Sequence, residues 1–137
     1  MSTDLKEFSG ISFTSDIANL PQVEVLVENV CKEYNIHPDN YGNILIAVTE
    51  AVNNAIKHGN GLDTTKSVNI KVLFKDGFLE FHISDEGHGF DFNNLPDPTA
   101  PENLEKENGR GIFLMKALSD EVKFHNNGSC AALKFKL

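Results

Sequence analysis

The stretch TEAVNNAIKHGN, residues 49–60, closes a run whose apolar residues are spaced as in an amphipathic helix, and it sets Glu50, Asn53, Asn54, Lys57 and His58 inside that helix. Asparagine competes with its own backbone for hydrogen bonds and is a poor helix-interior residue. Two adjacent asparagines therefore need a reason. At about 100° per residue, Leu45, Val48, Val52, Ala55 and Ile56 gather on one side, and Glu50, Asn54, Lys57 and His58 on the other. Glu50 and Asn54 stand four residues apart, so their side chains point at the same place. A carboxylate beside a neutral amide oxygen suits Mg²⁺, which takes one or two protein ligands and leaves the rest to phosphates and water. A solvated helix face accounts for the same pattern, and this helix alone does not choose between them.

Outward from it, the elements fall into order. Pro38 opens this helix, expected from about Asp39 to His58, and HGNG (residues 58–61) ends it. Upstream, LKEFSGISFT (5–14) alternates like a strand. QVEVLVENVCKEYN (22–35) then has helical spacing behind Pro21, with Asp16 and Asn19 as candidate caps. Downstream, SVNIKVLFK and FLEFHIS flank Asp76-Gly77, and EVKFHN and SCAALKFKL flank Asn127-Gly128; both are hairpin signals. Between the hairpins lies a long segment rich in Pro, Asn, Asp and Gly, the kind of loop that usually binds something. The helix RGIFLMKALS (110–119) leads out of it. The order β, α, α, ββ, loop, α, ββ predicts an α+β fold: a two-layer sandwich with helices on one face of a mostly antiparallel, mixed sheet.

The whole chain, residues 1–137, is expected to form one domain, since 137 residues at 40% hydrophobic and 23% charged bury an ordinary core without staples. A net charge of -8 and a pI near 5.0 argue against direct nucleic-acid binding. Any polyanionic ligand then needs a local site, with a metal ion to screen it. Cys31 and Cys130 lack metal-binding spacing and suit a reducing compartment. Neither a signal peptide nor a run near 20 apolar residues is present, so a soluble, cytoplasmic protein without membrane contact is expected.

Two glycine segments remain. DEGHGF (85–90) follows a strand directly, and Gly87 and Gly89 permit tight turns and close approach to a ligand. NGRGIF (108–113) precedes the third helix, where free backbone N–H groups and the helix dipole favour a phosphate. No P-loop, no dinucleotide fingerprint and no eukaryotic-type kinase motif set occurs.

The ordered set E-x-x-x-N on a helix, D-x-G-x-G after a hairpin, a Pro-rich loop and G-x-G near a helix start resembles the ATP-binding domain shared by gyrases, histidine kinases, a chaperone class and mismatch-repair ATPases. ENGRGIFLMKALSDEVKF is most similar to the anti-sigma factor serine/threonine kinases of that superfamily, and the resemblance spans roughly residues 10–137. It implies a Bergerat-type ATP-binding fold with an N box at about 46–58, a first glycine box at 85–90, an ATP lid at about 91–108 and a second glycine box at 109–113. By the same resemblance Glu50 is the general base, Asn54 the Mg²⁺ ligand, and Asp85 the acceptor for the adenine amino group. Gly87 and Gly89 shape the adenine pocket, while Gly109 and Gly111 meet the phosphates. Lys106 and Arg110 are expected phosphate contacts on charge and placement. Family members often carry Thr-Thr where this chain has Ser129-Cys130, which leaves the hydroxyl support of Asp85 open.

The implied activity is ATP-dependent phosphorylation of a serine or threonine on an anti-sigma factor antagonist, in a protein that also binds a sigma factor and forms a homodimer. The alternative is an ATP-gated binding module that never transfers phosphate; a detached histidine-kinase catalytic domain is a further rival. Retention of both Glu50 and Asn54 favours the kinase.

Overall fold

A computed structural model describes residues 6–75, 77–87 and 107–137. The chain runs β1 (Lys6–Thr14), α1 (Leu20–Glu33), α2 (Pro38–Asn54), β2 (Ser67–Lys75), β3 (Phe78–Ser84), α3 (Glu107–Leu118), β4 (Glu121–His125) and β5 (Cys130–Lys136). The five strands form one sheet in the order β1-β2-β3-β5-β4. All four pairings among the described residues are antiparallel, and the parallel part of the expected mostly antiparallel sheet is not found among them.

Period-two alternation sets one face of this sheet against the helices. Val68, Ile70 and Val72 of β2, Leu79, Phe81 and Ile83 of β3, and Leu133 and Phe135 of β5 are buried, while their neighbours Asn69, Lys71 and Lys136 face solvent. Val23, Val27 and Val30 of α1 and Val48 and Val52 of α2 close the core from the other side. Burying each such side chain is worth about 1.5–3 kcal/mol, enough to fix the register of helix on sheet. Gly77, at φ 80°, makes the turn between β2 and β3.

Helix α2 begins as expected. Pro38 takes the first turn, and the His37 side chain accepts the Asp39 N–H at 3.1 Å. Its buried face is broader than the sequence suggested: Ile44, Ala47 and Ala51 are buried, whereas Leu45 is only half-buried. The helix packs against α1, α3 and the sheet together, so one narrow stripe is not enough. Asp16 caps a short 3₁₀ turn, Ile17–Asn19, rather than α1.

Candidate functional site

The site is built around the exit of α2. After Asn54 the helix continues as one wider π turn, Ala55–Gly59, closed by the Asn60 N–H on the Ala55 carbonyl at 2.8 Å. Such turns insert one extra residue and are frequent at functional sites. The Ile56 carbonyl accepts the Leu62 N–H at 2.8 Å and the Ser15 hydroxyl at 3.3 Å. Ser15 and Asn60 are the two buried polar residues among the described residues, and both grip this turn.

The extra residue brings Gly59 against the end of β3. A β-carbon on Gly59 would lie 2.2 Å from Asp85 Oδ2, and one on Gly87 would lie 1.9 Å from the Gly59 carbonyl oxygen. Neither position has room for a side chain. The Asp85 N–H donates to the Ser129 carbonyl at 2.9 Å, and Asp85 Oδ1 accepts the Gly87 N–H at 2.8 Å. Burial pushes the Asp85 carboxyl above the usual carboxylate range, while the Gly87 N–H and the Lys66 charge act in the opposite direction. Ser129 donates its hydroxyl to the Asn126 carbonyl at 3.0 Å, so it meets Asp85 through its backbone only. The Ser84 hydroxyl contacts the Cys130 sulfur at 3.4 Å.

One turn earlier on α2 stand Glu50 and Asn54, both half-buried. The amide oxygen of Asn54 is buried and accepts no hydrogen bond among the described residues. A buried acceptor without a donor costs free energy unless something outside the chain satisfies it, and a cation would do so. Among the described residues no group of three or more His, Cys, Asp or Glu could hold a metal. A metal here would therefore take Asn54, with Glu50 four residues away, and draw its other oxygens from a ligand.

Gly111 of α3 faces this pair: a β-carbon on it would lie 3.2 Å from Glu50 Oε2. The described part of helix α3 runs Glu107–Leu118, so Gly109 and Gly111 both lie within it. Arg110 is exposed beside them. Gly89, His88, Lys106 and residues 91–106 of the expected lid lie outside the described residues. Sequence reasoning took residues 58–61 as a helix stop and missed Gly59 and Asn60, whose partners Asp85 and Glu86 lie 26 positions further along the chain.

Comparison with known proteins follows the same lines. Residues 13–136 match the histidine kinase-like ATPase domain. The chain is 36% identical over 87 residues to the serine-protein kinase RsbW of Oceanobacillus iheyensis, a match covering 59% of this chain and 55% of that protein. To RsbW proteins of Bacillus cereus and Bacillus subtilis it is 28% and 29% identical, each match covering 77% of this chain and 70% and 69% of theirs. The chain thus spans about half to two-thirds of the length of these relatives. A crystal structure of the RsbU and RsbW domains of a Mycobacterium tuberculosis protein superposes with a TM-score of 0.66 at 16% identity, covering 96% of this chain and 32% of that one. At that identity the likeness speaks for the fold alone.

Proposed function

The chain belongs to the histidine kinase-like ATPase family, and from that premise we propose that it is an ATP-dependent serine/threonine protein kinase acting as an anti-sigma factor in a partner-switching circuit. Its substrate is a small anti-sigma factor antagonist protein, its second partner a sigma factor, and its working form a homodimer in the cytoplasm. The relatives named serine-protein kinase support the reaction class. One observation carries the site: the single helix α2 reaches both glycine segments, with Glu50 against Gly111 and its exit residue Gly59 against Asp85.

In this reading Asp85 accepts a hydrogen bond from the adenine amino group. The missing side chains of Gly59 and Gly87 set how closely the pocket wall is drawn. Asn54 offers its unpaired oxygen to Mg²⁺, which when bound would offset phosphate charge. Glu50, half-buried beside α3, orients the incoming hydroxyl and takes its proton. Gly109 and Gly111, on the described part of α3, offer backbone N–H groups to the phosphate oxygens, and Arg110 between them adds positive charge. Phosphoryl transfer rests on positioning and electrostatics, so these few groups are enough.

The test uses Glu50→Ala with Mg-ATP and the antagonist. Removal of a general base lowers transfer by about 10²–10⁴-fold while ATP binding is retained. Normal transfer by that variant ends the base assignment. Wild-type protein that binds Mg-ATP without ever transferring phosphate leaves the ATP-gated binding module in its place.

A further inference from the structure

We infer that Asn60 is a positioning residue for base recognition: its buried amide holds the turn Asp85–Gly87 in register through the Glu86 N–H, and so keeps the Asp85 carboxylate where it tells a 6-amino from a 6-oxo purine. The inference rests on the nucleotide reading of the site.

Asn60 is 3% exposed, and its side chain has two partners. Its Oδ1 accepts the Glu86 N–H at 2.7 Å, and its Nδ2 donates to the Ser67 carbonyl at 2.9 Å. The Ser67 N–H in turn donates to the Glu86 carboxylate. The three residues form a closed ring that joins the exit of α2, the start of β2 and the end of β3. Only a primary amide supplies an acceptor and a donor on one short planar group; aspartate lacks the donor and leucine lacks both. The partners also fix which way the amide faces, since one offers an N–H and the other a carbonyl. The backbone of Asn60 is itself tied down, its N–H to Ala55 and its carbonyl to the Asp63 N–H at 3.1 Å.

The link to Asp85 runs through three successive N–H groups. That of Asp85 is held by the Ser129 carbonyl just before β5, that of Gly87 by the Asp85 carboxylate, and the middle one, Glu86, by Asn60. Asn60 is thus the hold on this turn from the helix side. Asp85 has no slack, because Gly59 packs directly against its carboxylate. A shift of the turn therefore moves the acceptor. Adenine offers a donor at its 6-position and hypoxanthine a carbonyl oxygen, which would face the carboxylate unpaired. Their affinity ratio reads the carboxylate's placement, whereas stability alone does not.

The experiment is calorimetric titration of Mg-ATP and Mg-ITP into the full chain as wild type, Asn60→Ala and Ile44→Ala. The last is a core truncation about four helical turns away. For Asn60→Ala, ATP affinity should fall about tenfold and ITP affinity by less than about twofold, narrowing the ratio. Ile44→Ala should lower the melting temperature and leave the ratio as in wild type. Hydrogen exchange at the Glu86 amide should be slow in wild type and fast in Asn60→Ala. If Asn60→Ala does not fold, Asn60→Ser, whose hydroxyl is too short to span both partners, takes its place. A ratio within about twofold of wild type in the folded Asn60 variant, or an equally protected Glu86 amide, overturns the inference. Wild-type protein that does not distinguish ATP from ITP defeats the nucleotide reading itself, a result separate from any variant's behaviour.

Discussion

Gly59 and Asp85, 26 positions apart in sequence, are packed so closely that one methyl group on the glycine would fall 2.2 Å from the aspartate's Oδ2. Gly59→Ala therefore sets two effects against each other. Alanine in place of a helical glycine ordinarily stabilises by about 0.5–1 kcal/mol. Forcing the methyl group in costs about 1–3 kcal/mol, so the contact wins. The melting temperature should fall by several degrees, and Mg-ATP titration should show weakened binding. A higher melting temperature with binding intact would mean that the carboxylate does not sit against the glycine.

Asn54→Ala should behave in the opposite way. The buried amide oxygen has no donor among the described residues, so its removal forfeits no hydrogen bond and improves helix propensity by several tenths of a kcal/mol. Without Mg²⁺ the variant should unfold at the wild-type temperature or slightly above it. With Mg-ATP present, the stabilisation conferred by the nucleotide should shrink, with affinity down about tenfold. A loss of stability in EDTA would reveal a structural partner for Asn54 and remove the argument for a cation.

Asp85 gives a pH signature. Burial raises its carboxyl pKa in the folded chain above the unfolded value. Between the two values the folded state holds the extra proton, so stability falls as pH rises through that interval. Asp85→Asn removes the buried charge and keeps an oxygen for the Gly87 N–H. It should be more stable than wild type at pH 7, with the gap closing in acid, while ATP binding is weakened. Thermal unfolding followed from acid to neutral pH checks the sign; a wild type that is the more stable of the two at neutral pH contradicts it.

Cys31, 7% exposed, has its thiol pushed up to about 11 by burial. Its thiolate is correspondingly scarce at pH 8, so alkylation by iodoacetamide should be far slower in the native chain than after unfolding. The same shift makes stability decline as pH rises from about 9 toward 11, where the unfolded thiol ionises and the folded one does not. Rapid native labelling at Cys31 would contradict the burial.

The parts legible in sequence were those set by local chemistry. Gly77, Pro38 and the alternation of β2, β3 and β5 carry their own signals, and the elements lie where those signals put them. The pairing of Glu50 with Asn54 was legible because four-residue spacing on a helix is itself geometry. Other features depend on distant partners. Ile44 and Ala51 were assigned too little burial because α1 and α3 both close on α2. Asn60 looked like the end of a helix, since nothing near it in sequence announces Ser67 and Glu86 as partners.

Strand β1 contributes no residue to the proposed nucleotide pocket, yet it alone pairs with the outer side of β2. A chain cut to begin at Ser15 would keep Glu50, Asn54, Asp85 and Asn60. It would also leave those backbone groups of β2 that face β1 without partners, along an edge already patterned for pairing. Such an edge accepts a strand from any molecule that offers one. The truncated chain should therefore fail by sticking to itself before it fails to bind nucleotide, so the first strand's contribution is to keep the rest of the sheet from being shared.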